Sequence, residues 1–177
     1  MADFKIAQEY VIQVAEGGYR LINIKDDKGG MTYAGISRRS NPKWAGWRYI
    51  DKGIIEGNDL INLADKLYFD NYWQPILGSE IESQVVATAV YSSAVLSGVS
   101  RATRLIQSSL EYLEPAPKID GVMGPNTIQG INIMRDKVLL ELFALRRVKR
   151  YWEICEKNKS QRKFEHGWIA RALRELP

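Results

Sequence analysis

A chain of 177 residues is long enough for one well-buried core, and its 45% apolar and 26% charged residues are those of an ordinary globular protein. A single cysteine, Cys155, and a single histidine, His166, exclude an internal disulfide and leave too few soft ligands for the usual zinc sites, so neither a metal nor a cofactor is expected. The formal charge of +4 is uneven: residues 135–177 hold twelve Lys or Arg against six Asp or Glu, which makes the C-terminal surface basic.

The N-terminus, Met-Ala-Asp-Phe-Lys-Ile, lacks the long apolar run of a signal peptide, so synthesis in the cytoplasm is expected. From Phe4 the apolar residues Phe4, Ala7, Val11 and Val14 fall at the spacing of one buried helical stripe, and Gly17-Gly18 supplies a left-handed end. Glu16 then lies in the last helical turn among unpaired carbonyls, where an ionised carboxylate is disfavoured and its pKa is expected to rise.

Two short strands are expected next, Tyr19 to Lys25 and Met31 to Ile36, joined by Asp26-Asp27-Lys28-Gly29-Gly30 as turn chemistry. Such a hairpin would fold Asp26 or Asp27, and the hydroxyl of Thr32, back toward Glu16. One carboxyl group would then protonate a glycosidic oxygen while another orients water. Tyr19 and Tyr33 flank these residues, and Trp44, Trp47, Tyr72 and Trp73 are near enough in sequence to line a cleft on which sugar rings stack, although large aromatics serve a core equally well.

The rest reads as helical. Asn58 caps a helix with Ile61, Ala64, Leu67 and Tyr68 inward; Ser79 and Glu82 form a capping box before a central helix, apolar through Val85–Val90, that ends at Gly98. Val85–Val99 is too short and too serine-rich to span a membrane, for which about 20 apolar residues are needed. Ser100 starts another helix with Leu105, Ile106 and Leu110, broken at Pro115-Ala116-Pro117. Asp120-Gly121-x-x-Gly124-x-x-Thr127 is a turn-to-helix signature, with Pro125 in the first turn of a short helix through Ile128 and Ile131. A long helix runs from about Asp136 to Lys157, with Cys155 as a half-buried thiol, and a last one begins near Ser160. Arg146-Arg147-x-Lys149-Arg150 reads as a solvated helix face or a patch for an anionic wall rather than for nucleic acid. The fold class is mainly α with one small β-hairpin near the N-terminus, in a single compact domain whose lobes divide at residues 78 and 79.

Glu16-Gly17-Gly18-Tyr19 followed by Asp27-x-Gly29-Gly30-x-Thr32-x-x-Gly35-Ile36 resembles the bacterial and phage N-acetylmuramidases of glycoside hydrolase family 108, whose members are also described as secretion activators. The likeness extends to Tyr72-Trp73, Leu105-Ile106-Gln107, the Asp120 to Thr127 stretch and Phe164-x-x-Gly167-Trp168. It implies a lysozyme-like fold and a muramidase with Glu16 as acid and Asp27 and Thr32 holding water. Sugar contacts would come from Tyr19, Tyr33, Tyr72 and Trp73, and the Asp120 stretch resembles that of peptidoglycan-binding modules. The chain departs from the family pattern in a longer gap before Asp27, which keeps Asp26 open for that role, and in Leu96, where an asparagine is expected. The expected partner is the peptidoglycan glycan strand, met by a monomer without nucleic acid or stable membrane insertion, after holin- or lysis-dependent release. A lytic transglycosylase and a non-catalytic wall-binding protein are the alternatives.

Overall fold

The computed structural model describes residues 1–22 and 30–176. Two compact units form, Phe4–Asn71 and, with the N-terminal Met1–Asp3, Tyr72–Pro177.

The first unit begins with helix α1 (Phe4–Val11), which runs into a π-helical turn, Ile12–Glu16, and stops at Gly17 in the left-handed conformation, φ 71°. The Ile12 carbonyl accepts the Gly18 N–H at 2.9 Å, and the Gly17 N–H as well. Val14, within the wider turn, is exposed, whereas Ile12, four residues after the buried Gln8, is fully inside; the stripe therefore differs from the Phe4, Ala7, Val11, Val14 spacing expected from the sequence.

Three two-residue strands follow: β1 (Leu21–Ile22), β2 (Thr32–Tyr33) and β3 (Ile36–Ser37), antiparallel in that order. Leu21 pairs with Tyr33, and Tyr33 with Ile36. The expected continuous strand from Met31 to Ile36 is thus itself a hairpin. Ala34 (φ 46°) and Gly35 (φ 78°) are both left-handed, as a two-residue type I′ turn requires. Alanine resists this conformation, and two hydrogen bonds hold it there: the Ala34 N–H donates to the Arg20 carbonyl at 3.0 Å, and the Ala34 carbonyl accepts the Tyr68 hydroxyl at 2.8 Å. Helices α2 (Trp47–Ile50) and α3 (Asn58–Tyr68) complete the unit, with Leu60, Ala64 and Tyr68 buried along α3.

The second unit is built from α4 (Gln84–Ser97), α5 (Val99–Ser109), α6 (Pro125–Ile133), α7 (Asp136–Lys157) and α8 (Arg162–Arg174). Helix α4 is the buried central element, packed on α5 and α7, and α7 packs on α8. Its cap is Ser83, whose Oγ accepts the Val86 N–H at 3.4 Å, not Ser79. Ser79 instead accepts the Trp73 indole N–H at 2.9 Å, and the Glu82 N–H is taken by Asn132 at 3.0 Å, so neither half of the expected capping box reaches the helix. Gly98 ends α4 at φ 89° and also precedes α5, which leaves Ser100 inside that helix. Among the described residues no helix is long and apolar enough to cross a membrane.

Candidate active site

Glu16 is half-buried at the end of the π turn. Its position is set by Gly35. A Cβ at Gly35 would fall inside van der Waals contact of both Oε2 of Glu16 and the Tyr68 hydroxyl, so the carboxylate lies against the bare backbone of the β2–β3 turn and Tyr68 closes the same space. Only glycine satisfies this position twice over, by its φ and by the room it leaves. The hydroxyl of Tyr68, on fully buried α3 surface, donates to the carbonyl of Ala34 next door. Carboxyl group, turn and phenol therefore form one unit of structure.

A second cluster lies in the same compact unit. Asp65, three residues before Tyr68 on α3, accepts the Gln8 side-chain N–H at 2.9 Å and the Tyr19 hydroxyl. Burial, then the hydrogen bond from Tyr19 to the Asp65 carboxylate, pushes the Tyr19 phenol well above its ordinary range. Tyr33 is fully buried and stacks on Trp44 at 5.8 Å; burial, then the charges of Asp65 and Glu56, push its pKa up too. The Tyr33 hydroxyl has no hydrogen-bond partner among the described residues.

The remaining expectations separate. Thr32 lies in the middle strand, and its hydroxyl donates to the Gly30 carbonyl at 3.3 Å. Asp26 and Asp27 lie outside the described residues. Tyr72 and Trp73 belong to the second unit; Tyr72 is half-buried, but Trp73 is fully buried, edge-on to Tyr91 at 5.5 Å, with its indole N–H on Ser79. That ring is core and has no open face for a sugar. Trp47 is core as well, its indole N–H on the Asn41 carbonyl at 2.7 Å.

In the helical unit, the Asp120 stretch closes on Gln107. The buried Gln107 amide donates to Asp120 (3.0 Å), the Val122 carbonyl (3.1 Å) and Thr127 (3.2 Å), while its oxygen accepts the Gly121 N–H at 2.9 Å. The Val122 N–H, then Gln107, hold the Asp120 carboxyl below its usual range. The basic run divides likewise. Arg147 is fully buried against Glu175 and over the Phe143 ring, and Arg146 pairs with Glu111, so only part of that run faces solvent. Cys155 is buried and burial raises its thiol pKa, while His166 is exposed, which leaves no Cys-His nucleophile.

The residues that sequence reasoning did not single out for this site are Gly35, Tyr68, Asp65 and Gln8. Gly35 was visible as the last glycine of the Gly-Gly-x-Thr-x-x-Gly run. Tyr68 reads in sequence only as an inward helix residue, and nothing local distinguishes Asp65 or Gln8.

Residues 10–98 match the family model described as glycosyl hydrolase 108, and residues 101–173 match one described as a predicted peptidoglycan domain. The seam between the two matches falls at the α4–α5 break. A solved structure of SagA from Brucella abortus aligns with a TM-score of 0.68 at 22% identity, over 97% of this chain and 90% of that one, which shows a shared fold. No protein of curated function matches significantly.

Proposed function

The chain belongs to the glycosyl hydrolase 108 family, and from that premise we propose that it is a muramidase, hydrolysing the β-1,4 bond between N-acetylmuramic acid and N-acetylglucosamine in peptidoglycan. The observation that supports this reading is the packing of the Glu16 carboxyl group on Gly35 beside Tyr68. An acid fixed there needs no reorganisation before it protonates the glycosidic oxygen. Tyr68 gives a hydrogen bond to the Ala34 carbonyl and so holds the turn against which the Glu16 carboxyl group is packed. In this reading Asp27, or Asp26 in its place, orients the attacking water together with Thr32. Tyr19 and Tyr72, both half-buried, remain the proposed sugar contacts.

The proposed setting is a phage or prophage endolysin, released through a holin or by lysis, that works as a single chain on the glycan strand. The match of residues 101–173 supports wall attachment by the helical unit.

The test is mass spectrometry of the muropeptides released from purified sacculi, with Glu16→Gln as the control. Products with reducing N-acetylmuramic acid ends are expected, and the variant should fold normally yet lose about 10² to 10⁴ in rate, the usual worth of a general acid. Products with 1,6-anhydro ends would move the chain to the lytic transglycosylases. Wild-type rates in Glu16→Gln would remove Glu16 from the chemistry.

A further inference from the structure

Where α4 stops and α5 starts at Gly98, the second unit has a notch that runs down to α7 and α8. It holds a cavity of about 220 Å³ with an apolar floor of Leu96, Tyr151, Ile154 and Trp168, and with Arg101 and Arg150 among its lining residues. Beyond Arg101 the hollow continues along the first turn of α5 toward Arg104, with a volume of about 430 Å³. Trp168 is fixed in its place, stacked on Phe164 at 5.8 Å and tilted against Tyr151 at 5.5 Å.

The arginines here differ from four others that are tied to carboxylates. Arg38, Arg146, Arg147 and Arg162 each hold a carboxylate within hydrogen-bonding distance. Around the notch, Arg101 is exposed and has no ion pair among the described residues, and Arg104 donates to the neutral Ile119 carbonyl at 2.9 Å. Arg150 has only a loose approach to Glu153 at 3.7 Å, and its Nε is buried without a hydrogen-bond partner among the described residues. Positive charge is thus left unneutralised beside an apolar, aromatic floor.

We propose that this notch binds the stem peptide of peptidoglycan, with its free carboxylates on Arg101 and Arg150 and its small apolar side chains on Trp168 and Ile154. The proposal rests on the peptidoglycan reading above and names which part of the polymer the helical unit holds. Where a stem peptide is attached, the lactyl carboxyl group of the muramic acid is consumed in the amide link and the glycan itself is uncharged, whereas the stem peptide alternates alanine methyl groups with free carboxylates that two guanidinium forks can hold. A polyanion such as a glycerol phosphate polymer would satisfy the arginines and leave the apolar floor uncovered.

The experiment titrates the full chain with the synthetic tripeptide L-alanyl-γ-D-glutamyl-meso-diaminopimelic acid and follows the Trp168 indole N–H by NMR. Saturable binding is expected, at least tenfold weaker in Arg101→Gln/Arg150→Gln and at least tenfold weaker for a tripeptide whose carboxylates are capped as amides. Arg101→Gln alone, at an exposed position, should show part of the loss with an unchanged thermal melt, which keeps the result readable if the double variant folds poorly. No saturable binding, equal affinity for the capped peptide, or tighter binding of glycerol phosphate would overturn the proposal. The tripeptide has no glycosidic bond, so its binding stands or falls independently of whether Glu16 cleaves glycan.

Discussion

The two units spend their unusual residues in opposite ways. In Phe4–Asn71 the backbone is irregular where Glu16 sits: a π turn, a left-handed alanine and strands of two residues, all arranged so that a carboxylate meets a glycine and a phenol. In the helical unit the helices from α4 onward are regular and an irregular stretch of backbone, two 3₁₀ turns about the left-handed Leu77 (φ 50°), lies ahead of them, while Gln107 and the Arg147–Glu175 pair are buried among the helices and supply several hydrogen bonds each. Backbone strain that closes around a carboxyl group signals chemistry, whereas polar groups that close around one another signal architecture. Both kinds looked alike as motifs in the sequence.

The strongest way to test this contrast is to break the architecture. Arg147 and Glu175 are 1% and 5% exposed in their side chains, and Glu175 also accepts the Ser92 hydroxyl at 2.5 Å. Removal of one member leaves a buried charge unpaired. Glu175→Ala is therefore expected to destabilise the chain by about 3 to 5 kcal/mol in denaturant titration. A loss no larger than that of a surface ion pair would mean that the network is dispensable and the contrast false.

Gly35→Ala probes the other side. The added methyl overlaps both Oε2 of Glu16 and the Tyr68 hydroxyl, at a φ that alanine resists, so the acid must move. A displacement of about 1 Å at the reacting centre costs about 10² in rate, and that loss should appear in muropeptide release while the variant still melts cooperatively. Retained activity would show that the Gly35 contact is packing alone.

What could be seen in the sequence was whatever is encoded by neighbours in the chain. Gly17, Gly98 and Pro125 mark helix ends where the structure has them, and α7 runs from Asp136 to Lys157 as its apolar spacing indicates. The π turn escaped because apolar spacing alone puts Val14, which lies exposed within it, on the buried stripe and cannot tell a π turn from an α turn. Ala34 carries no turn signal, and its left-handed backbone is imposed by Arg20 and by Tyr68, which is 34 residues away. Arg147 looked like a surface charge because its partner Glu175 lies 28 residues on. Glu16 was legible as a helix-end acid, but the residues that hold it, Gly35 and Tyr68, meet it only through tertiary structure.

The Asp65 cluster lies between the two kinds, a satisfied polar group in the unit that carries the acid, and Tyr19→Phe asks which kind it is. Tyr19 is half-buried and donates to Asp65, and both effects raise its pKa in the folded chain above that of the unfolded chain, about 10. A raised folded pKa means that the folded state holds the proton more tightly. The stabilisation from the neutral phenol is therefore complete below pH about 10 and is lost as the pH rises through that value toward the folded pKa. The stability advantage of wild type over Tyr19→Phe should accordingly be constant at neutral pH and shrink in alkaline solution. Parallel stability curves up to pH 11 would show that Asp65 does not hold the Tyr19 proton in solution. If the curves converge and the variant also keeps full muropeptide release, the cluster is architecture like Gln107; if release falls while neutral stability is kept, Tyr19 belongs with Glu16 and contacts the sugar.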